Sequence, residues 1–266
     1  MATETNGANV AQLDVDDLRG KVRFMYQAVA RQPHDGHFHF EMGRGLMERL
    51  GYPQADLDAV PAAALESFAG VGYFFDFAAL AAGETVADLG SGSGSDAFIA
   101  ARHVGRSGRV IGIDMTDAQL EKATTLARAH DYAQVEFREG LIEELPLRDG
   151  EVDCVISNGV INLAPDKTKV FAEAARVLRH GGRFAFADIV TDLQLPANVT
   201  CNTTLWAACI GGAAQRDDYR ALIEAAGFRV VSARENVEYA FLSKSAQSAT
   251  TQYGVKSVSF LAVKED

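Results

Sequence analysis

Apolar residues recur at Val15, Leu18, Val22, Met25 and Val29, a spacing that puts them on one face of a helix over residues 15–31. Past residue 85 the pattern changes. Short continuous apolar runs, which suit strands buried on both faces, alternate with stripes of helical period. Val86 to Asp88 predicts a first strand that breaks into Gly90, Gly92 and Gly94, and Ala97 to Val104 a helix. Arg109 to Asp114 reads as a second strand. Thr116 and Gln119 are spaced as a capping box for a helix with Leu120, Ala123 and Ala127 inside. Gln134 to Arg138 predicts a third strand, and the run from Asp153 a fourth, with an exit loop to Leu163. Asp166 caps a helix carrying Val170, Phe171, Ala174, Val177 and Leu178, which Gly181-Gly182 should end. Arg183 to Val190 is a fifth strand. From Thr191 to Gly212 the alternation is interrupted. Tyr219, Leu222, Ile223 and Ala226 then form a last helical stripe, followed by closing strands at Phe228–Ala233 and Val255–Val263. This order predicts an α/β fold, a mostly parallel sheet with helices on both faces and right-handed crossovers, preceded by an N-terminal helical segment.

Length and composition agree with that picture. The 266 residues suffice for one large α/β domain, and at 48% hydrophobic a full core is expected. The net charge of −11 lacks the basic footprint of a nucleic-acid binder. No apolar run approaches the ~20 residues of a membrane span, and Met1 to Asp14 lacks the pattern of a signal peptide. The expectation is a cytoplasmic protein without membrane or nucleic-acid partners. The three cysteines, Cys154, Cys201 and Cys209, form no disulfide or zinc pattern. Cys154 lies inside the fourth apolar run and reads as a core residue.

Candidate chemistry concentrates at V-A-D-L-G-S-G-S-G-S-D, Val86 to Asp96. Glycines between a strand and a helix let backbone approach a ligand, and the helix offers free N–H groups at its start. The G-x-G-x-G spacing differs from the dinucleotide pattern, and no Lys-Ser/Thr pair follows to make a P-loop. Asp114, about 20 residues past the loop at the tip of the second strand, is placed to accept paired ribose hydroxyls. Met115 suits the face of an adenine ring. Ser157, Asn158 and Asn162 stand at the carboxyl edge of the fourth strand, where open α/β sheets bind ligands. His37-Phe38-His39 with Glu41 has the alternation of a metal pair, but no third ligand follows; an aromatic-rich lid is the simpler reading, and no metal is expected. Phe68, Tyr73, Phe74, Phe75 and Phe77 read as core, with a place in the pocket wall open to them.

The string D-L-G-S-G-S-G resembles motif I of the class I S-adenosylmethionine-dependent methyltransferases. Over residues 65–265 the chain more narrowly resembles the arsenite methyltransferases: V-I-G-I-D-M-T at Val110 to Thr116, I-S-N-G-V-I-N-L at Ile156 to Leu163, R-V-L-R-H-G-G at Arg176 to Gly182, and W-A-A-C-I-G-G at Trp206 to Gly212. The resemblance implies a Rossmann-like class I methyltransferase fold, with residues 1–64 as a helical lid segment and 65–266 as the methyltransferase domain, its substrate-covering insertion near 191–215. It implies S-adenosylmethionine as cofactor, bound by Asp88, Gly90, Ser91, Gly92, Gly94, Asp114, Met115, Leu141, Ile142, Asn158 and Val160. Leu141 stands where many members carry an acid that meets the adenine amine.

In the arsenite methyltransferases three cysteines hold trivalent arsenic. Cys209 matches one; Gly159 stands at the second; the N-terminal third has no counterpart. Cys201 cannot replace them from a continuous helix, since eight residues rise about 12 Å. Three readings follow. The first is a small-molecule methyltransferase with a soft acceptor, arsenical or thiol, and Cys209 as substrate ligand. The second is a methyltransferase of an organic metabolite, which the volume freed at Gly159 would admit. The third is a module that senses the cofactor without turnover.

Overall fold

The computed structural model describes residues 13–33, 38, 40–203, 206, 210–242 and 244–265. Eight strands form one sheet: β1 Thr85–Leu89, β2 Arg109–Asp114, β3 Val135–Glu139, β4 Val152–Asn158, β5 Leu178–Thr191, β6 Ala214–Gln215, β7 Phe228–Glu235 and β8 Lys256–Lys264. The order is β3-β2-β1-β4-β5-β8-β7, with β6 on β5. β8 runs antiparallel to both β5 and β7, and the remaining pairings are parallel. The longer helices are α1 Val15–Arg31, α2 Ser95–Val104, α3 Asp117–Ala129, α4 Lys167–Val177, α5 Arg216–Ala225 and α6 Lys244–Tyr253.

Alternation along the strands builds two cores. Val86, Val110, Cys154, Ile156 and Ala185 face one side, where they pack with Leu18 and Val22 of α1 and with Phe98 and Val104 of α2. Ala87, Leu89, Ile111, Val155 and Phe184 face the other, against Phe171 of α4 and Tyr219 of α5. Successive residues of a strand point to opposite faces, so each central strand must be apolar throughout, which is why these strands read as unbroken runs. Cys154 is fully buried, as its position in such a run predicts. Among the described residues no helix is long and apolar enough to cross a membrane.

The structure departs from the sequence pattern at two places. Helix α4 ends at Val177, and Leu178 is already extended and paired with Val152 across a bulge. Gly181, at φ 70°, makes a turn within β5 rather than a helix cap. The capping box is also not formed. Thr116 is the N-cap of α3 but makes no side-chain cap bond. Gln119 instead accepts a hydrogen bond from Ser93 and donates to the Tyr26 carbonyl at 3.1 Å.

The interruption after β5 folds back onto the body. Trp206 is buried and donates to the Thr200 carbonyl at 2.5 Å, while Lys167 Nζ lies 4.8 Å from the indole centroid. Thr203 donates to Asp17 of α1 at 2.7 Å. Gly211 and Gly212 make room for the indole: a β-carbon on Gly212 would lie 1.8 Å from the Asn162 carbonyl oxygen. Gly212→Ala should therefore unseat this segment and destabilise the protein by about 1–3 kcal/mol. Trp206 is the chain's one tryptophan, so its emission should shift to the red, and a urea titration followed by that emission reads both effects.

Candidate functional site

The carboxyl ends of β1, β2 and β4 open into one cleft of about 1010 Å³. Its floor is the turn after β1. Gly90 and Gly92 have φ of 71° and 53°, and a β-carbon on Gly90 would lie 2.4 Å from Val160, so the turn packs too closely for a side chain there. Gly92 N–H and Thr116 N–H donate to the two oxygens of Asp114 at 2.9 and 2.8 Å, which fixes that carboxylate at the tip of β2.

Asp88, Gly90, Ser91, Gly92, Asp114 and Met115 line this cleft, and so do Leu141, Ile142, Asn158 and Val160. Gly94 does not. Its φ is 91°, and a β-carbon would meet Phe137 at 2.8 Å and Phe98 at 2.9 Å, so it serves the packing of α2 against the sheet. His37, His39 and Cys209 lie outside the described residues. Phe68 joins the cleft wall, while Phe74 and Phe75 are buried in the core.

Three acids meet in the cleft. Asp88 is 2% exposed, and its Oδ2 is buried with no hydrogen-bond partner; Ser91 Oγ is likewise bare. Burial pushes the Asp88 carboxyl well above the usual carboxylate range, and the neighbouring Asp96 and Asp114 push in the same direction. Asp96, in the first turn of α2, is raised by burial to about 6, against hydrogen bonds from Asn158 and Tyr52 that hold it down. Burial also raises Asp114, opposed by the Gly92 and Thr116 N–H groups. Among the described residues none of the three acids pairs with a basic side chain. Such a site is arranged to take a cation.

Helix α1 forms the opposite wall through Arg19, Val22 and Tyr26. Arg19 pairs with Glu143 at 3.2 Å, and Arg23 Nε donates to the Met115 carbonyl at 3.2 Å. Sequence reasoning missed these residues, together with Tyr52, Asp96 and Gln119. Asp96 was visible as the end of the glycine string. Val22 and Gln119 were visible only as helix positions, and the rest gave no local signal, because their partners are remote in sequence.

Of the described cysteines, burial pushes the Cys154 thiol up to about 12, so it is no thiolate. Cys201 is half-buried in a turn directly after the one-turn helix Ala197–Thr200.

Comparison with known proteins gives a consistent likeness. Residues 80–227 match a family described as a methyltransferase domain. The chain is 40% identical over 239 residues to an arsenite methyltransferase of Halobacterium salinarum, covering 85% of this chain and 61% of that protein. It is 41% identical over 152 residues to the arsenite methyltransferase of Homo sapiens, covering 54% of this chain and 40% of the human protein. The chain thus spans less than two thirds of these relatives. An arsenic(III) S-adenosylmethionine methyltransferase from Chlamydomonas reinhardtii matches in three dimensions with a TM-score of 0.67 at 35% identity, covering 80% of this chain and 73% of that one.

The raised acids set a pH dependence. A carboxyl whose folded pKa exceeds its unfolded value binds protons more tightly in the native state, so the fold is favoured at low pH and loses that advantage as pH rises. For Asp96 and Asp188, each raised by burial to about 6, the loss falls between about pH 4 and 6. Below that window Glu84, Glu151 and Glu173, all lowered, act in the opposite sense. The ligand-free protein should melt at a higher temperature at pH 5 than at pH 7. Asp88→Asn, which removes this raised carboxyl, should raise the pH 7 melting point and flatten the profile in calorimetric scans.

Proposed function

This chain belongs to the methyltransferase domain family, and from that premise we propose that it methylates a small molecule with a soft acceptor atom, arsenite or a thiol. The methyl donor is S-adenosylmethionine, whose sulfonium supplies an electrophilic methyl group. One observation supports the donor site above all others: Asp88, whose Oδ2 is buried and bare, lines a cleft that it shares with Asp114. The residues fit such a donor. Asp88 Oδ2 and Ser91 Oγ would meet its cationic amino-acid end. Asp114, whose oxygens keep free lone pairs beside the Gly92 and Thr116 bonds, would accept the ribose hydroxyls. Met115, Leu141 and Ile142 would hold the base between apolar side chains, and Asn158 and Val160 would bound the methyl-bearing end.

The protein's part in the reaction is alignment. A soft nucleophile needs little base catalysis, and holding it in line with the methyl group recovers much of the barrier as pre-paid orientation. In this reading residues 1–64 form a segment over the cleft and residues 65–266 the catalytic domain. The stretch near 191–215 covers the acceptor and brings Cys209 as its ligand. The protein acts in the cytoplasm, as a monomer or homodimer. Its likeness to arsenite methyltransferases supports arsenite as acceptor.

A second reading rests on Gly159. Its φ of 71° and the absence of any thiol there favour an organic acceptor against the apolar wall of Phe68, Val160 and Leu163. Incubation with arsenite, glutathione and labelled methyl donor distinguishes the two. Labelled methylarsenicals should form, Asp88→Ala should lower their rate by at least about a hundredfold, and Cys209→Ser by at least about tenfold. Full activity in Cys209→Ser would remove that residue from the acceptor site, and an inert arsenite with an organic extract component labelled instead would establish the second reading.

A further inference from the structure

We propose that Tyr52 and Asn158 are positioning residues that pin Asp96 beside Asp88, so that the two buried carboxylates make the site prefer the charged methyl donor to its product. The proposal rests on the methyl-donor reading above and adds a basis for releasing product.

The geometry is specific. Both oxygens of Asp96 are occupied: Tyr52 Oη donates to one at 2.8 Å and Asn158 Nδ2 to the other at 3.0 Å. Asn158 is itself locked, because its Oδ1 accepts the N–H groups of Val71 at 2.7 Å and Gly72 at 3.3 Å. Its amide can therefore present only donors toward Asp96. The Tyr52 ring is held edge-on against Phe68 and Tyr73, with centroids 5.5 and 5.0 Å away. Burial keeps the Tyr52 hydroxyl protonated, with the Asp96 charge adding to the effect, so it remains a donor. Asp96 is thus fixed and fully hydrogen-bonded, and Asp88, 2% exposed, is left with a bare oxygen lining the cleft. The pattern is a pair with one supported and one open member.

Such a pair discriminates by charge. The donor carries an ammonium, a carboxylate and a sulfonium, a net charge of one. Its product keeps the ammonium and carboxylate but holds a neutral thioether. Both ligands offer the same ammonium to Asp88. Only the donor adds a second cation, and in a site screened from water that charge feels every nearby carboxylate strongly. Asp96 therefore favours the donor over the product, in which the ammonium and carboxylate charges offset one another. Tyr52, supplied by the N-terminal segment, keeps that carboxylate in place.

Calorimetric titration of S-adenosylmethionine and S-adenosylhomocysteine into the full chain tests this through the ratio of their affinities. The wild-type protein should favour the donor. Asp96→Asn, similar in shape but uncharged, should cut that preference about tenfold while moving product affinity much less; Tyr52→Phe should cut it by a smaller factor. A purely structural role would weaken both ligands together. A second arm needs no variant. Asp96 takes up a proton near pH 6, and the acids that face it, Asp88 and Asp114, are raised as well, while Tyr52 stays protonated. The wild-type preference should therefore shrink between pH 7 and pH 5. A preference unchanged in Asp96→Asn, or one that holds constant on acidification, overturns the proposal and leaves the methyl-donor reading standing. Wild-type protein that binds neither ligand overturns both.

Discussion

An acid is held out of water at the tip of β1, with no basic side chain paired to it among the described residues. Asp88 is buried, bare on one oxygen and adjacent to two other acids. Burying a polar oxygen without a hydrogen-bond partner costs a fold stability. It persists here because the strand that carries it is overdetermined. β1 is paired on both edges, with β2 and β4, and packed on both faces, so the end of the strand has no freedom to turn the acid out to solvent. The turn that follows carries only glycines and two small serines, which leaves space in front of the acid. The acid-lined cleft is therefore a product of the two cores.

The covering elements are attached through the same groups that shape the cleft. Asp114 takes the Thr116 N–H, and the next carbonyl, that of Met115, is taken by Arg23 of α1. Gln119 leaves its own helix terminus to join Ser93 of the glycine turn to Tyr26 of α1. The segment after β5 is bound in turn to α1 through Thr203 and Asp17. Donor side and cover are therefore mechanically one unit. A shift of α1 cannot occur without breaking bonds to residues that line the cleft.

The layout of this molecule was legible where a physical rule acts locally. Strands buried on both faces must be continuous apolar runs, so β1, β2 and β4 stand out in the sequence, and the rule that parallel sheets bind at their carboxyl ends brings Asp88, Asp114 and Asn158 together. Reading failed where two local rules compete or a partner is distant. Thr116 and Gln119 satisfy the spacing of a capping box, yet Ser93 and Tyr26 offer Gln119 better partners once the chain is folded. Gly181-Gly182 looks like a helix stop, but Leu178 gains more by pairing with Val152 than by extending α4. Gly94 belongs to a motif that touches ligand, while its own neighbours are Phe98 and Phe137. Tyr52 carries no periodic or motif signal at all; only its 2.8 Å bond to Asp96 reveals it.

Two parts of the cleft wall, at Asp96 and at Gly159, share one residue. Gly159 follows Asn158 directly, with φ of 71°, and a β-carbon there would sit 3.1 Å from the Val71 side chain. Val71 is held in place by its own N–H bond to Asn158. The amide that orients Asp96 thus also holds the Val71 wall beside position 159. A side chain at 159 would have to adopt a left-handed backbone, which non-glycine residues rarely tolerate, and to displace Val71, loosening Asn158 and with it the acid pair. Under the proposed function, a change at Gly159 would therefore reach both ends of the cleft through one asparagine.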